Sequence, residues 1–356
     1  MDIDEINTLS PLKSDEIPYQ EISDPAVLLK NPIVSIQMLA YNHEPYIADA
    51  IQGVIMQKTD FQFELIIGED CSTDRTREIV LDYQKKYPDL IRVISSDKNV
   101  GIRKNSDRTL GACRGKYIAI CEGDDYWTDD LKLEKQTSLM LENPGCAICV
   151  HPCYLHRSMY NKKSIGFYKG AQVKRFGISD ILKNAGQSSP TASYMVIRDV
   201  FNILPQWFGS APVGDLFIEM YSLKIGFGLY MPDVMCAYRV FSQNSWSDMM
   251  KRKGGHKLIN HAAEMNKCIR YMENESAFRG FDFNILKSTS LMDVAVGHLM
   301  EKDFDKFKES ISESYAIYPD SSQTQKWLYR FKSLPGLALF LYNLKKLFDR
   351  SPVKIF

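Results

Sequence analysis

The sequence predicts an α/β fold: a mostly parallel sheet flanked by helices, with a helical C-terminal appendage. Two observations carry that expectation. Up to about residue 142, short apolar runs of strand composition alternate with stretches of helical spacing. From about Met249 onward, helical patterns follow one another with no strands between them. The expected boundaries are an N-terminal extension over 1–30, an α/β domain over 31–248 and a helical region over 249–356.

Pro32 opens the first strand, Ile33–Ala40, which ends in the turn cluster Tyr41-Asn42-His43-Glu44-Pro45. A helix follows to about Met56, with Ile47, Ala50, Ile51, Val54 and Ile55 on its apolar face. The second strand, Phe63–Gly68, runs into Glu69-Asp70-Cys71-Ser72-Thr73-Asp74. Thr73 or Asp74 can cap the next helix, which stops before Pro88. The third strand, Ile91–Ser95, leads into the turn Asp97-Lys98-Asn99-Val100-Gly101 and a helix over about 104–113. The fourth strand, Tyr117–Cys121, ends in Glu122-Gly123-Asp124-Asp125. Each polar loop thus falls at a strand's carboxyl end, where open α/β sheets bind ligands. Three carboxylates within four residues repel one another, and a hard divalent cation with oxygen ligands would relieve them. A polar turn closing the strand is the alternative.

Beyond the fourth strand, the spacing predicts a helix over 131–142, a strand over 147–151, a short helix over 179–184 and a strand over 192–198. Residues 157–176 are basic and read as irregular: a solvated loop, or a mobile one over a phosphate-bearing substrate. A helix starts at Val213 with Asp215 near its N-terminus, where the helix dipole favours a carboxylate. Strands over 227–231 and 234–240 complete the α/β part, and helices follow over 256–272, 283–301 and 304–318. The segment 334–348 is apolar with two adjacent lysines. Docking on the protein's own core and peripheral membrane contact are the two readings of it.

Composition narrows the function classes. The chain has 356 residues and a formal net charge of +0, from 44 basic and 44 acidic side chains. That balance gives no basic footprint for nucleic acid. The first thirty residues lack the pattern of a signal peptide, and no apolar run reaches the ~18 residues of a membrane span. With eight cysteines in no framework spacing, reduced thiols in the cytoplasm are expected, with peripheral attachment to the inner membrane as the variant. Cys146, Cys149 and Cys153, near His151 and His156, do not repeat as metal-site pairs. Ala147, Cys149, His151 and Cys153 are expected to share one face of an extended strand with buried thiols. No G-x-G-x-x-G follows the first strand, and Gly111–Lys116 is too short for a phosphate loop and precedes a strand.

Four segments together resemble one family. They are Ala40-Tyr41-Asn42, Glu69-Asp70-Cys71-Ser72-Thr73-Asp74-Arg75-Thr76, Asn99-Val100-Gly101 and Glu122-Gly123-Asp124-Asp125, continued by Trp127-Thr128-Asp129-Asp130-Leu131-Lys132-Leu133-Glu134-Lys135-Gln136. In order and spacing they resemble the GT-A glycosyltransferases of family 2, over about residues 33–247. The resemblance implies a Rossmann-like, mostly parallel sheet. It also implies a nucleotide-diphosphate sugar donor, a divalent metal (Mn or Mg), and inversion at the anomeric carbon. Carried over by position, Tyr41, Asn42 and Glu44 would line the nucleotide site, and Asp70 would bond the base, uracil in a UDP-sugar. Lys104 and Asn105 would lie near the nucleotide. Asp124 and Asp125 would hold the metal and ribose region, and Asp215 would be the catalytic base. The implied acceptor is a saccharide or lipid-linked saccharide, in surface polysaccharide or glycolipid assembly. Glu122 and Glu69 stand where the family often has Asp, and Phe241 where it often has His. A sugar-nucleotide nucleotidyltransferase and a non-catalytic nucleotide-sugar-binding module are the other readings of such a sheet.

Overall fold

The computed structural model describes residues 19–157, 162–184, 186–242 and 254–348. The chain forms two compact units. The first comprises Met1–Phe176, Ser189–Gly209 and Ile218–Ser242; the second comprises Gly177–Ser188, Ser210–Phe217 and Gln243–Phe356.

In the first unit, β1 (Gln20–Ile22) is followed by β2 (Val34–Ala40), α1 (Ile47–Ile55), β3 (Phe63–Glu69), α2 (Thr76–Lys86), β4 (Ile91–Ser95), α3 (Ile102–Ala112) and β5 (Tyr117–Ile120). β2 pairs in parallel with β3 and β5, and β3 in parallel with β4. The expected parallel sheet is therefore present, and its strands are buried on both faces. That is why they read as nearly continuous apolar runs. Ile47, Ala50, Ile51 and Val54 of α1 fill the core against Val34, Ile36 and Met38. A Cβ on Gly53 would lie 2.8 Å from the backbone nitrogen of Trp127, so this residue lets α1 approach the chain beyond β5.

The unit continues with β6 (Tyr126–Trp127), α4 (Lys132–Glu142), β7 (Cys146–Val150), β8 (Cys153–Arg157), β9 (Lys162–Gly166) and β10 (Lys174–Phe176). Nine strands make one sheet in the order β1-β4-β3-β2-β5-β11-β7-β12-β10, where β11 is Met195–Ile197 and β12 is Phe227–Tyr230. A four-stranded sheet has the order β6-β13-β8-β9, with β13 at Cys236–Arg239.

Four expectations need correction. Residues 20–22 of the N-terminal extension are an edge strand, tied to β4 by Glu21 and Arg92. The run from Ala147 to Cys153 is not one strand: His151 and Pro152 interrupt it, and Cys153 starts β8 in the second sheet. Residues 158–161 lie outside the described residues, and the rest of the stretch 157–176 is not irregular throughout: 162–166 and 174–176 are the strands β9 and β10 at the outer edges of the two sheets. Lysines there suit edge strands, where charge discourages further pairing. Of the expected strand over 192–198 only β11 is extended, after a 3₁₀ turn at Thr191–Ser193.

The second unit contains α5 (Ile178–Lys183) and the first turn of α7 (Asp215–Ile225); α6 (Asp199–Asn202) lies in the first unit. Five helices follow: α8 (Gly255–Glu273), α9 (Asn284–Met300), α10 (Phe304–Ile317), α11 (Gln323–Arg330) and α12 (Pro335–Phe348). Their core gathers Leu299, Phe307, Ile311, Leu328 and Ala338. Among the described residues no helix is long and apolar enough to cross a membrane.

Candidate functional site

The carboxyl ends of β2 and β3 are joined by side-chain-to-backbone hydrogen bonds. Asn42 takes a left-handed backbone, φ 53°, which its short polar side chain tolerates. Its Oδ1 accepts from the Thr73 amide at 2.8 Å, and its own amide donates to Ser72 Oγ at 3.1 Å. Glu44 Oε2 accepts from the Arg75 amide at 3.1 Å, while the Glu44 amide donates to Asp74 Oδ2 at 3.1 Å. Asp74 also accepts from the Thr76 amide at the start of α2. These bonds fix the backbone of both loops and leave the Tyr41 ring exposed at 41%.

Glu69 and Asp70, at the end of β3, are buried and accept hydrogen bonds through both carboxylate oxygens. Glu69 accepts from the Ser72 amide at 2.7 Å and from Ser95 Oγ at 3.0 Å, with Arg77 at 3.7 Å. Asp70 accepts from the amides of Val100 and Gly101, each at 2.9 Å, and lies 3.4 Å from the buried Arg108 guanidinium. Asn105 is buried too, donating to the Gly68 carbonyl at 2.7 Å and accepting from Arg108 at 2.9 Å. The structure therefore gathers Asp70 and Asn105 around Arg108 as supports of the Asn99–Gly101 loop. Lys104, one residue earlier on α3, is exposed.

The acids after β5 have a different environment. The Gly123 amide bonds the Leu39 carbonyl, and a Cβ on Gly123 would sit 2.6 Å from His43 Nδ1 and 2.8 Å from the Leu39 oxygen. Only glycine lets this loop pack against the end of β2. Asp124 is half-buried and accepts from Ser242 Oγ at 2.7 Å; Asp125 is buried and accepts from the Arg239 amide at 2.8 Å. The Arg239 guanidinium bonds the Asp124 carbonyl and Asp49 and stacks 4.3 Å from the Tyr126 ring centroid. Burial, and then the charges of Asp124 and Glu122, push the Asp125 carboxyl well above the usual carboxylate range; Arg239 offsets this only in part.

Asp215 belongs to the second unit and is the first residue of α7, half-buried, its Oδ1 accepting from the Leu216 amide at 2.8 Å. Phe241, in the first unit, has φ 64° and packs against the core.

Residues 35–199, a little under half of the chain, match the family described as Glycosyl transferase family 2. The putative teichuronic acid biosynthesis glycosyltransferase TuaG of Bacillus subtilis is 38% identical over 116 residues, covering 33% of this chain and 44% of TuaG. S. aureus TarS 1–349 in complex with UDP-GlcNAc superposes with a TM-score of 0.58 at 13% identity, over 91% of this chain and 93% of that one. The mannosyltransferase PcManGT from Pyrobaculum calidifontis, in complex with GDP-Man and Mn2+, gives 0.52 at 14% identity, over 95% and 93%. The chain resembles the family 2 glycosyl transferases, and its fold is GT-A. It spans well under two thirds of the length of curated relatives that it matches.

In this GT-A fold the acid loop suits a divalent cation by its donor chemistry. Glu122, Asp124 and Asp125 offer hard oxygens, and their mutual repulsion is what a 2+ charge relieves. Among the described residues no three or more His, Cys, Asp or Glu side chains converge on one point. An ion held by one or two carboxylates would take its remaining ligands from substrate phosphate oxygens. The cysteines near β7 are buried free thiols; burial pushes Cys146 and Cys153 up to about 12 and Cys149 to about 11, which suits packing. Arg108, Arg239 and Ser242 were not singled out by sequence. For Arg239 the signal was a single charge closing the otherwise uncharged strand Cys236–Arg239.

Proposed function

We propose that the chain moves a sugar from a nucleotide-diphosphate donor, a UDP-sugar, to a hydroxyl acceptor with inversion. It acts as a hexosyl- or N-acetylhexosaminyltransferase in surface polysaccharide or glycolipid assembly, on a saccharide or lipid-linked saccharide. The observation that carries this is the acid loop after β5. Its carboxylates repel one another at the carboxyl end of a parallel strand, where α/β sheets bind ligands. The UDP-GlcNAc bound to TarS and the name of TuaG support the donor and pathway class.

The acceptor hydroxyl attacks the anomeric carbon as the bond to the diphosphate oxygen breaks, which inverts the configuration. Asp215 takes the hydroxyl proton. Tyr41, Asn42, Glu44 and Lys104 contribute to the nucleotide site. Asp70 and Asn105 hold the Asn99–Gly101 loop beside it, and a uracil contact uses the lone pairs that the Asp70 carboxylate keeps. Asp124 would reach the ribose region and, with Asp125, would hold Mn2+ or Mg2+. When bound, that ion offsets charge on the departing diphosphate.

UDP release from UDP-sugars with Mn2+ or Mg2+ tests the proposal. Asp125→Ala is expected to abolish metal-dependent donor binding. Asp215→Ala is expected to keep donor binding and lower transfer about a hundredfold or more, the range for loss of a general base. Normal turnover in Asp215→Ala would remove it as the base. Pyrophosphate formation from UTP and a sugar phosphate would make the chain a nucleotidyltransferase instead.

A further inference from the structure

The helix α12 over the segment 334–348 has two unlike faces, one packed on its own unit and one exposed. Ala338 is fully buried in the core of the second unit, with Leu339 and Tyr342 packed partly against it. The other face is apolar and open. Leu337 is 42% exposed, Phe340 62% and Leu344 40%, at spacings of three and four residues that align them in one stripe. Leu334, just before the helix, extends the stripe at 58% exposure. Aromatic and leucine side chains lined up on one helix face are more than the scattered apolar exposure of an ordinary surface.

Charge selects the occupant. No acidic residue lies between Phe331 and Phe348, whereas Lys332 and Lys345 flank the stripe at its two ends. Lys332 donates to Ser312 Oγ at 3.1 Å and lies over the Tyr329 ring; Lys345 donates to Thr324 Oγ1. These partners are neutral, so both positive charges persist. Two copies of the stripe laid together, parallel or antiparallel, would bring lysine ends onto lysine ends with no carboxylate between them, and such like-charge contact is costly. An anionic lipid surface meets both features: acyl chains for the stripe and headgroup charge for the lysines. At about 1.5 Å per residue the 14-residue helix is roughly 21 Å long, too short to cross a hydrocarbon core of about 30 Å.

We infer that α12 lies flat in the interface of an anionic membrane, docked on its own unit through Ala338 and inserted through Leu337, Phe340 and Leu344. This stands independently of the transfer reaction.

Flotation of the full chain with phosphatidylcholine vesicles, with and without phosphatidylglycerol, tests it. The wild type is expected to float with the anionic vesicles and to be released by high salt. Phe340→Ser with Leu344→Ser removes exposed side chains only, so the melting temperature should hold while vesicle partitioning falls about tenfold. Lys345→Ala should lower partitioning on anionic vesicles about fivefold and leave the little binding to neutral vesicles unchanged. Wild-type protein that stays unbound with anionic vesicles overturns the inference, as does floating unaffected by these substitutions. Self-association in sedimentation equilibrium that the double substitution abolishes, without anionic binding, would assign the stripe to a second copy.

Discussion

The ends of β3 and β5 look alike as sequence and differ as chemistry. Both are strands that run into acids, Glu69-Asp70 in one case and Glu122-Gly123-Asp124-Asp125 in the other. Asp70 is met by two backbone amides and the Arg108 guanidinium, and Glu69 by Ser72, Ser95 and Arg77. Asp125 receives the Arg239 amide, yet burial, and then its two acidic neighbours, raise its pKa. The first pair is a satisfied staple that holds loops in place. The second stores repulsion that a cation would release. The lesson is that a run of acids becomes a site by what fails to neutralise it.

The largest effect on the fold is expected at the staple. Arg108→Ala leaves the buried Asp70 without its cation and Asn105 without a donor. Removing one partner of a buried pair costs about 3–5 kcal/mol. Urea unfolding would measure it, and a loss below about 1 kcal/mol would show that backbone amides alone satisfy Asp70.

At the acid loop the opposite sign is expected. Asn at position 125 can still accept the Arg239 amide hydrogen without the cost of burying a carboxylate beside two other acids. Asp125→Asn should therefore raise the melting temperature by about 2–4 °C, the response of a domain of this size to ~1 kcal/mol. On the role proposed for Asp125, UDP release should fall about a hundredfold or more, a trade of activity for stability. A lowered melting temperature would mean that the loop is already neutralised, as at β3.

Lys132 sharpens the comparison as a charge buried with no carboxylate bonded to it. It is fully buried, donates to Gln136 Oε1 at 2.6 Å and lies 4.1 Å from the Trp127 ring centroid. Burial lowers its pKa from 10.5 to about 8. Between about pH 8 and 10.5 the unfolded chain holds a proton that the folded one lacks, so this residue makes stability rise with pH across that window. Lys132→Met, which keeps the packing, should flatten that rise in denaturation midpoints. An unchanged slope would place the titration elsewhere.

Much of the fold was legible because its period is local. β4 begins and ends where its apolar run does, and α1, α2 and α4 lie within a few residues of their expected spans. What was not legible depends on distant partners. Asp70 and Asp125 cannot be told apart locally, since Arg108 lies 38 positions beyond the first and Arg239 lies 114 beyond the second. The edge strands β9 and β10 were hidden because lysines on a strand read as loop when the neighbouring strand is unknown. α11 is only eight residues long, with Trp327, Leu328 and Tyr329 in a row, too short a stretch to stand out between its longer neighbours. It is anchored by the buried Gln325, whose amide donates to Ser288 and Ser314 Oγ, a polar core that hydrophobic periodicity does not register. The role proposed for Asp215 rests on the resemblance alone, since a carboxylate at a helix N-terminus is ordinary capping.

The most direct measurement is calorimetric titration of Mn2+ in the presence of UDP, on the wild type, Asp125→Asn and Asp70→Asn. Saturable binding in the wild type, lost in Asp125→Asn and retained by the folded fraction of Asp70→Asn, is the predicted result. Equal binding in the wild type and Asp125→Asn would contradict the assignment of the metal–diphosphate site to the loop after β5.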